Sequence, residues 1–177
     1  HAALDKDETW FYFAESGSDR IRRVNLKEGT LHNFAGIGET CYSGDEGLCG
    51  EAGLYLPLDV AFDSRNDLYI CDSGSNRIRK VDRETGIITT IIGTGQHGFN
   101  GDGPALETNL TWPAAIAFDP DDVMYIADTQ AHRLDAQVEQ VALPSLGTGR
   151  QRVKRRLHLG RIALRAHRLQ ALDLVLA

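Results

Sequence analysis

Short apolar runs alternate with clusters of turn-forming residues along most of this chain, and their spacing predicts β-structure. DVAFD (Asp59–Asp63) alternates Val60 and Phe62 with small or polar neighbours. Ser64-Arg65-Asn66-Asp67 follows, with Asn and Asp suited to turn positions. LYICD (Leu68–Asp72) is a near-continuous apolar run, the pattern of a buried strand. Gly74-Ser75-Asn76 predicts a tight turn. RIRKVD (Arg77–Asp82) alternates basic and β-branched residues and predicts a half-buried strand with a wet face. Glu84-Thr85-Gly86 turns the chain again, and IITTII (Ile87–Ile92) predicts a fourth strand.

This four-strand pattern recurs. FYFAESGSDRIRRVN (Phe11–Asn25) lies 57 residues before its copy LYICDSGSNRIRKVD (Leu68–Asp82), and MYIADTQAHRL (Met124–Leu134) begins a third copy 56 residues later. Ala35-Gly36-Ile37-Gly38 matches Ile92-Gly93-Thr94-Gly95, Gly44-Asp45 matches Gly101-Asp102, and LPLDVAFD (Leu56–Asp63) matches WPAAIAFDP (Trp112–Pro120). Units that cannot bury their apolar faces alone must stack on one another. Four antiparallel strands per unit describe the blade of a β-propeller. The fold class expected is therefore all-β, an incomplete β-propeller over residues 1–133. It would hold about three strands of one blade, one whole blade and two strands of a third. The first copy lacks the Pro-x-x-Val-Ala-Phe-Asp strand, so it is expected to begin at its second strand near Trp10. The whole reads as a fragment of a larger propeller. The Gly-rich stretches Gly36–Leu54 and Gly93–Leu110 predict long inter-blade loops, and loops of that length are more often functional than ordinary turns are.

The residues Pro57, Val60-Ala61-Phe62-Asp63, Leu68-Tyr69-Ile70, Asp72, Asn76–Asp82 and Ile88–Gly93 resemble the NHL-repeat family of β-propellers. The loop Gly98–Ala105 resembles the Gly-Asp-Gly-Pro-Ala connection of its long-period members. The resemblance implies a non-catalytic scaffold that binds another protein through a propeller face or the long loops. It also admits an alternative, because some related propellers are metal-dependent lyases or lactonases.

Past Arg133 the pattern stops. Leu134–Ala177 contains no aromatic residue and carries seven Arg and one Lys against three acids, whereas the first 133 residues carry 11 basic and 22 acidic residues. Such a break marks a boundary. The tail, residues 134–177, is expected to be disordered or partly helical and not part of the propeller. Its basic run Arg150–Arg156 offers an anion- or nucleic-acid-binding reading without the aromatics that stack bases. Its leucines keep helical spacing poorly, and Gly160 weakens a helix further. An out-of-frame origin also fits this composition.

The chain has a formal net charge of −6. That charge argues against nucleic-acid binding by the propeller part. No apolar run reaches the length of a membrane span, and no cofactor is implied. Cys41 and Cys49, eight apart in the first loop, are read either as a disulfide or as two free thiols, while Cys71 reads as a core residue. Asn109-Leu110-Thr111 is a glycosylation triplet. With the Cys41/Cys49 pair it points to an extracellular setting, although the compartment stays open. Glu15, Asp72 and Asp128 recur, as do Arg20, Arg77 and Arg133 five residues later. Recurrence in every unit predicts a structural role, with the Arg pairing the carboxylate across the hairpin. Asp63 and Asp119 are expected to cap turns, with cation binding as the competing use. Tyr42, His97, Phe99 and Asp102 are the candidate binding residues, since aromatics anchor interfaces. His32, His97 and His132 stand at non-equivalent positions, and His97 lacks an HxH or HxxxH partner. No catalytic residue and no metal ligand is assigned.

Overall fold

The structure, a computed structural model, describes residues 1–130. Each apolar run expected to be a strand within those residues is one. The first blade comprises β1 (Ala2–Leu4), β2 (Trp10–Glu15), β3 (Arg20–Asn25) and β4 (Thr30–Ala35), hydrogen-bonded in that order. The second contains β5 (Gly47–Leu48), β6 (Pro57–Phe62), β7 (Leu68–Asp72), β8 (Arg77–Val81) and β9 (Ile87–Ile92) in the order β5-β9-β8-β7-β6. The third begins with β10 (Pro113–Phe118) and β11 (Met124–Asp128). All pairs are antiparallel. Among the described residues no helix is long and apolar enough to cross a membrane. Arg133, His132 and the basic tail 134–177 lie outside the described residues.

Two differences from expectation stand out. The first blade has its inner strand after all: β1 pairs with β2, Ala2 opposite Phe13 and Leu4 opposite Phe11. Asp5 then caps the following turn through Oδ1, which accepts the amides of Thr9 (2.8 Å) and Trp10 (3.0 Å). Asp63 does the same for Arg65 and Asp67. Second, β8 has no wet face: Ile78, Arg79, Lys80 and Val81 are all buried. The blade lies between two others, so both of its faces are covered.

That sandwiching explains the continuous apolar run of β7. Side chains of a strand alternate between faces. Leu68 and Ile70 enter a core shared with the first blade, together with Tyr12, Ile21, Val60, Val81 and Ile88. Tyr69 and Cys71 enter a second core with Ile78, Ile92, Ile116, Met124 and Ile126. Each buried aliphatic or aromatic side chain of this kind contributes about 1.5–3 kcal/mol. The same aromatic contact repeats at both junctions: Tyr12 meets Phe62 edge-on at 5.1 Å, and Tyr69 meets Phe118 at 4.7 Å.

Polar clips join the blades at matching positions. Ser16 Oγ donates to Pro57 O at 2.6 Å, and Ser73 Oγ donates to Pro113 O at 2.5 Å. Asp19 Oδ1 accepts the Leu56 amide (2.7 Å), and Asn76 Oδ1 accepts the Trp112 amide (2.9 Å). Asp19 and Asn76 have φ of 52° and 53°, in the left-handed region that Asp and Asn tolerate better than most residues.

Candidate functional site

The strand register puts both long connections at one end of the blades. Ile21 pairs with Ala35 and Ile78 with Ile92, so each connection leaves beside the turn that precedes β3 or β8. Residues 36–56 and 93–112 therefore share a face with the turns 16–19 and 73–76.

The first connection is fastened to the second blade by the β5–β9 pairing and by a buried arginine. Arg79, fully buried, pairs through Nη2 with Asp45 at 2.7 Å and through Nη1 with Asp72 at 3.7 Å. It also donates to Gly53 O (3.3 Å) and Ser43 O (3.2 Å). Tyr42 lies on top. Its hydroxyl donates to Asp45 Oδ2 (2.7 Å) and meets Thr90 Oγ1 at 2.9 Å, while the Arg77 guanidinium lies 3.8 Å from its ring centre. Burial first, and the neighbouring Asp45 carboxylate after it, push the Tyr42 phenol up from its ordinary value. Sequence reasoning picked out Tyr42 but missed Arg79, because a basic residue in an alternating strand reads as solvated. The available signal was Asp45, which sits in the loop copy that precedes this strand.

The second connection is built from its own amides. Asn100 Nδ2 donates to Glu107 O (2.7 Å), and its Oδ1 accepts the Asn109 amide (2.8 Å). His97, Phe99 and Asp102 are exposed along it. Asn109 is half-buried, with Oδ1 accepting from Thr94 Oγ1 at 2.5 Å. Thr111, the third residue of the triplet, is buried and accepts the Gly98 amide at 3.1 Å. The structure thus places Tyr42 in a packed cluster and His97, Phe99 and Asp102 on a separate loop of the same face.

The recurrent residues have a different pairing from the one expected. Among the described residues Arg77 forms no ion pair with a carboxylate, although its charge acts on Asp72. It latches carbonyls instead, Nη1 to Ser75 O (3.0 Å) and Nη2 to Thr94 O (2.6 Å). Arg20 does likewise with Ser18 O and Ile37 O. The guanidinium fits because Gly95 has no Cβ, which would sit 2.1 Å from Arg77 Nη1. The partner of the recurrent acid comes two residues later: Glu15 pairs with Arg22 (3.2 Å) as Asp72 does with Arg79. Asp72 Oδ1 caps the Tyr55 amide and Asp128 Oδ1 caps the Thr111 amide, both at 2.7 Å. Burial pushes the Asp72 carboxyl up to about 6, against the opposing pull of the Tyr55 amide, Ser75, Arg79 and Arg77.

The cysteines are all free. Cys49 donates to Phe34 O at 3.3 Å, whereas Cys41 lies 3.8 Å from Ser43 Oγ, so the two loop thiols have separate neighbours and the disulfide is not formed. Burial raises the thiols of Cys49 and Cys71 above their ordinary range. Asp63 and Asp119 cap turns, Oδ1 accepting two amides each and Oδ2 the hydroxyl of Tyr69 (3.2 Å) or Tyr125 (3.1 Å). Among the described residues no three His, Cys, Asp or Glu side chains group as metal ligands.

A family model described as the teneurin NHL domain matches residues 1–101. The Arabidopsis thaliana protein SUPPRESSOR OF QUENCHING 1, chloroplastic, is 34% identical over 134 residues, covering 72% of this chain and 12% of that protein. Human NHL repeat-containing protein 2 is 30% identical over 142 residues, covering 75% of this chain and 19% of its own length. The chain therefore spans less than a fifth of either relative. A solved Bacteroides thetaiotaomicron protein of unknown function superposes with a TM-score of 0.65 at 22% identity, over 72% of this chain and 32% of that one, a likeness of fold. With three copies of the repeat in register and blades built from them, the chain belongs to the teneurin NHL domain family of NHL-repeat β-propellers.

Proposed function

We propose that this chain is a non-catalytic propeller module that binds a protein partner through its long-loop face. The observation that carries the reading is a set of large apolar side chains left in solvent on that face: Ile37, Tyr42, Tyr55, Phe99 (49% exposed) and Leu106 (59% exposed). Apolar groups clustered on a rimmed surface mark interaction sites. Arg79 and Asp72 hold the backbone beside Tyr42 and Tyr55, and Thr111 and Asn100 hold the loop beside Phe99, so less ordering entropy opposes binding. Aromatic anchors of this kind dominate interface energetics. Proximity labelling from the full chain tests the reading. A Tyr42→Ser/Phe99→Ser double variant is expected to lose partners that a Leu26→Ser variant, altered in the turn at the opposite end, retains. Identical partner sets for both variants would overturn it.

A further inference from the structure

A cavity of about 330 Å³ lies between the first and second blades, at the end of the sheets opposite the long loops. Part of its wall is aromatic, formed by Trp10, Tyr12, Phe34 and Phe62 with Arg23 among them, and Asp5, Asp7, Asp82 and Arg83 line the rest with neutral residues. The guanidinium lies 4.2 Å from the Trp10 ring centre and 5.2 Å from that of Phe34, and its Nη1 donates to Tyr12 OH at 3.3 Å.

The internal repeat shows what this arginine lacks. One blade later the same position is Lys80, which is buried and paired with Asp67 at 2.6 Å. The position of Asp67 in the first blade is held by Trp10. Replacing that acid by an indole removes the counter-ion and leaves a ring face, which attracts the cation without neutralising it. Among the described residues no carboxylate pairs with Arg23, and its Nε is buried without a hydrogen-bond partner. The other charges of the cavity are engaged. Asp5 caps the Thr9 and Trp10 amides, Asp82 caps those of Glu84 and Thr85, and Asp7 pairs with Arg83 at 3.2 Å. Arg23 is thus the cation of this cavity left without an acid, and a guanidinium offers a planar fork that matches a carboxylate.

We infer that the cavity between the first two blades is a binding site for a carboxylate attached to a flat or apolar body, with Arg23 as the ligating cation and the aromatic walls as its seat. The carboxylate belongs either to a free small acid or to an acidic side chain of a protein. The site is independent of the long-loop face and stands or falls separately from it.

Backbone amide shifts of the full chain, followed by NMR, test the site with benzoate as probe and benzyl alcohol as its uncharged control at matched ionic strength. Benzoate is expected to shift Trp10, Arg23 and Phe34 saturably, with benzyl alcohol at least about tenfold weaker. Arg23→Met is expected to abolish the response. Trp10→Asp, which restores the internal counter-ion seen in the second blade, is expected to abolish it as well, and it keeps the test decisive if Arg23→Met does not fold. Equal binding of benzyl alcohol, retention of benzoate binding by both variants, or a benzoate Kd above about 10 mM would overturn the inference. A blocked tripeptide carrying one glutamate separates the sources. Binding tighter than that of benzoate assigns the site to a protein side chain, and weaker binding assigns it to a small acid.

Discussion

Asp72 carries the sharpest consequence at the scale of single residues. Its Oδ1 is committed to the Tyr55 amide, its Oδ2 has no hydrogen bond, and burial holds the carboxyl at about 6. An unfolded aspartate titrates near 3.9. The folded state therefore binds this proton more tightly, so the stability linked to it is full below about pH 4 and is lost as the pH rises through 6. The difference amounts to roughly 3 kcal/mol at most. Asp72→Asn keeps an acceptor for Tyr55 and removes the titration. The urea midpoint of the variant relative to wild type is expected to rise between pH 4 and pH 7, because Glu15, Asp82 and Asp122, whose carboxyls are held low, titrate alike in both proteins, and a pH-independent difference would contradict the assignment. Gly95 makes a second case. Its φ is +85°, and any Cβ would strike the Arg77 guanidinium. Gly95→Ala is expected to cost about 1–3 kcal/mol. Gly17→Ala, whose added Cβ meets nothing within 4 Å, is expected to leave the thermal midpoint close to wild type.

At the scale of elements, the blades are joined by a pair of clips that act on the same backbone. Ser73 holds the Pro113 carbonyl, and three residues later Asn76 holds the Trp112 amide. Loss of either hydrogen bond is expected to cost about 1 kcal/mol, and the buried carbonyl left by Ser73→Ala up to about 3 kcal/mol. Both bonds order one segment, so a double-mutant cycle of Ser73→Ala and Asn76→Ala in urea is expected to show coupling of at least about 0.5 kcal/mol. Strict additivity would mean that the clips act independently. Most strands were legible because apolar runs bounded by Asp, Asn and Gly leave little choice of structure. Asp63 and Asp119 were legible as caps because a turn needs an acceptor where they stand. Three features were not legible. β1 is three residues long and has no Val-Ala-Phe-Asp signature. β5, Gly47–Leu48, is a strand only because the outer edge of β9 accepts it. Arg79 and Lys80 read as solvated because their acids, Asp45, Asp72 and Asp67, lie elsewhere in the sequence and meet them only in the fold.

At the scale of the molecule, the two described junctions show what an uncovered blade face should do. The second blade buries Leu68, Ile70, Val81 and Ile88 against the first. The first blade carries Phe11, Phe13, Val24 and Leu31 at the corresponding positions, and Leu31 is 50% exposed where Ile88 is 0% exposed. The edge differs too, since β5 covers Ile87 and Ile88 while their counterparts Thr30 and Leu31 lie open. Among the described residues this face and edge have no cover, and an apolar face and open strand edge of this kind favour association. A lysine at Leu31 keeps its charge in water, so Leu31→Lys is expected to leave the thermal midpoint nearly unchanged and to reduce concentration-dependent association in sedimentation velocity. The same change at Ile88 buries an unpaired ammonium between blades, a cost of several kcal/mol that such a domain does not withstand. Ile88→Lys is therefore expected to abolish the cooperative melt. If Leu31→Lys were as damaging as Ile88→Lys, the face would be covered in solution, and the equivalence of the two blades would extend to a contact that the described residues do not contain.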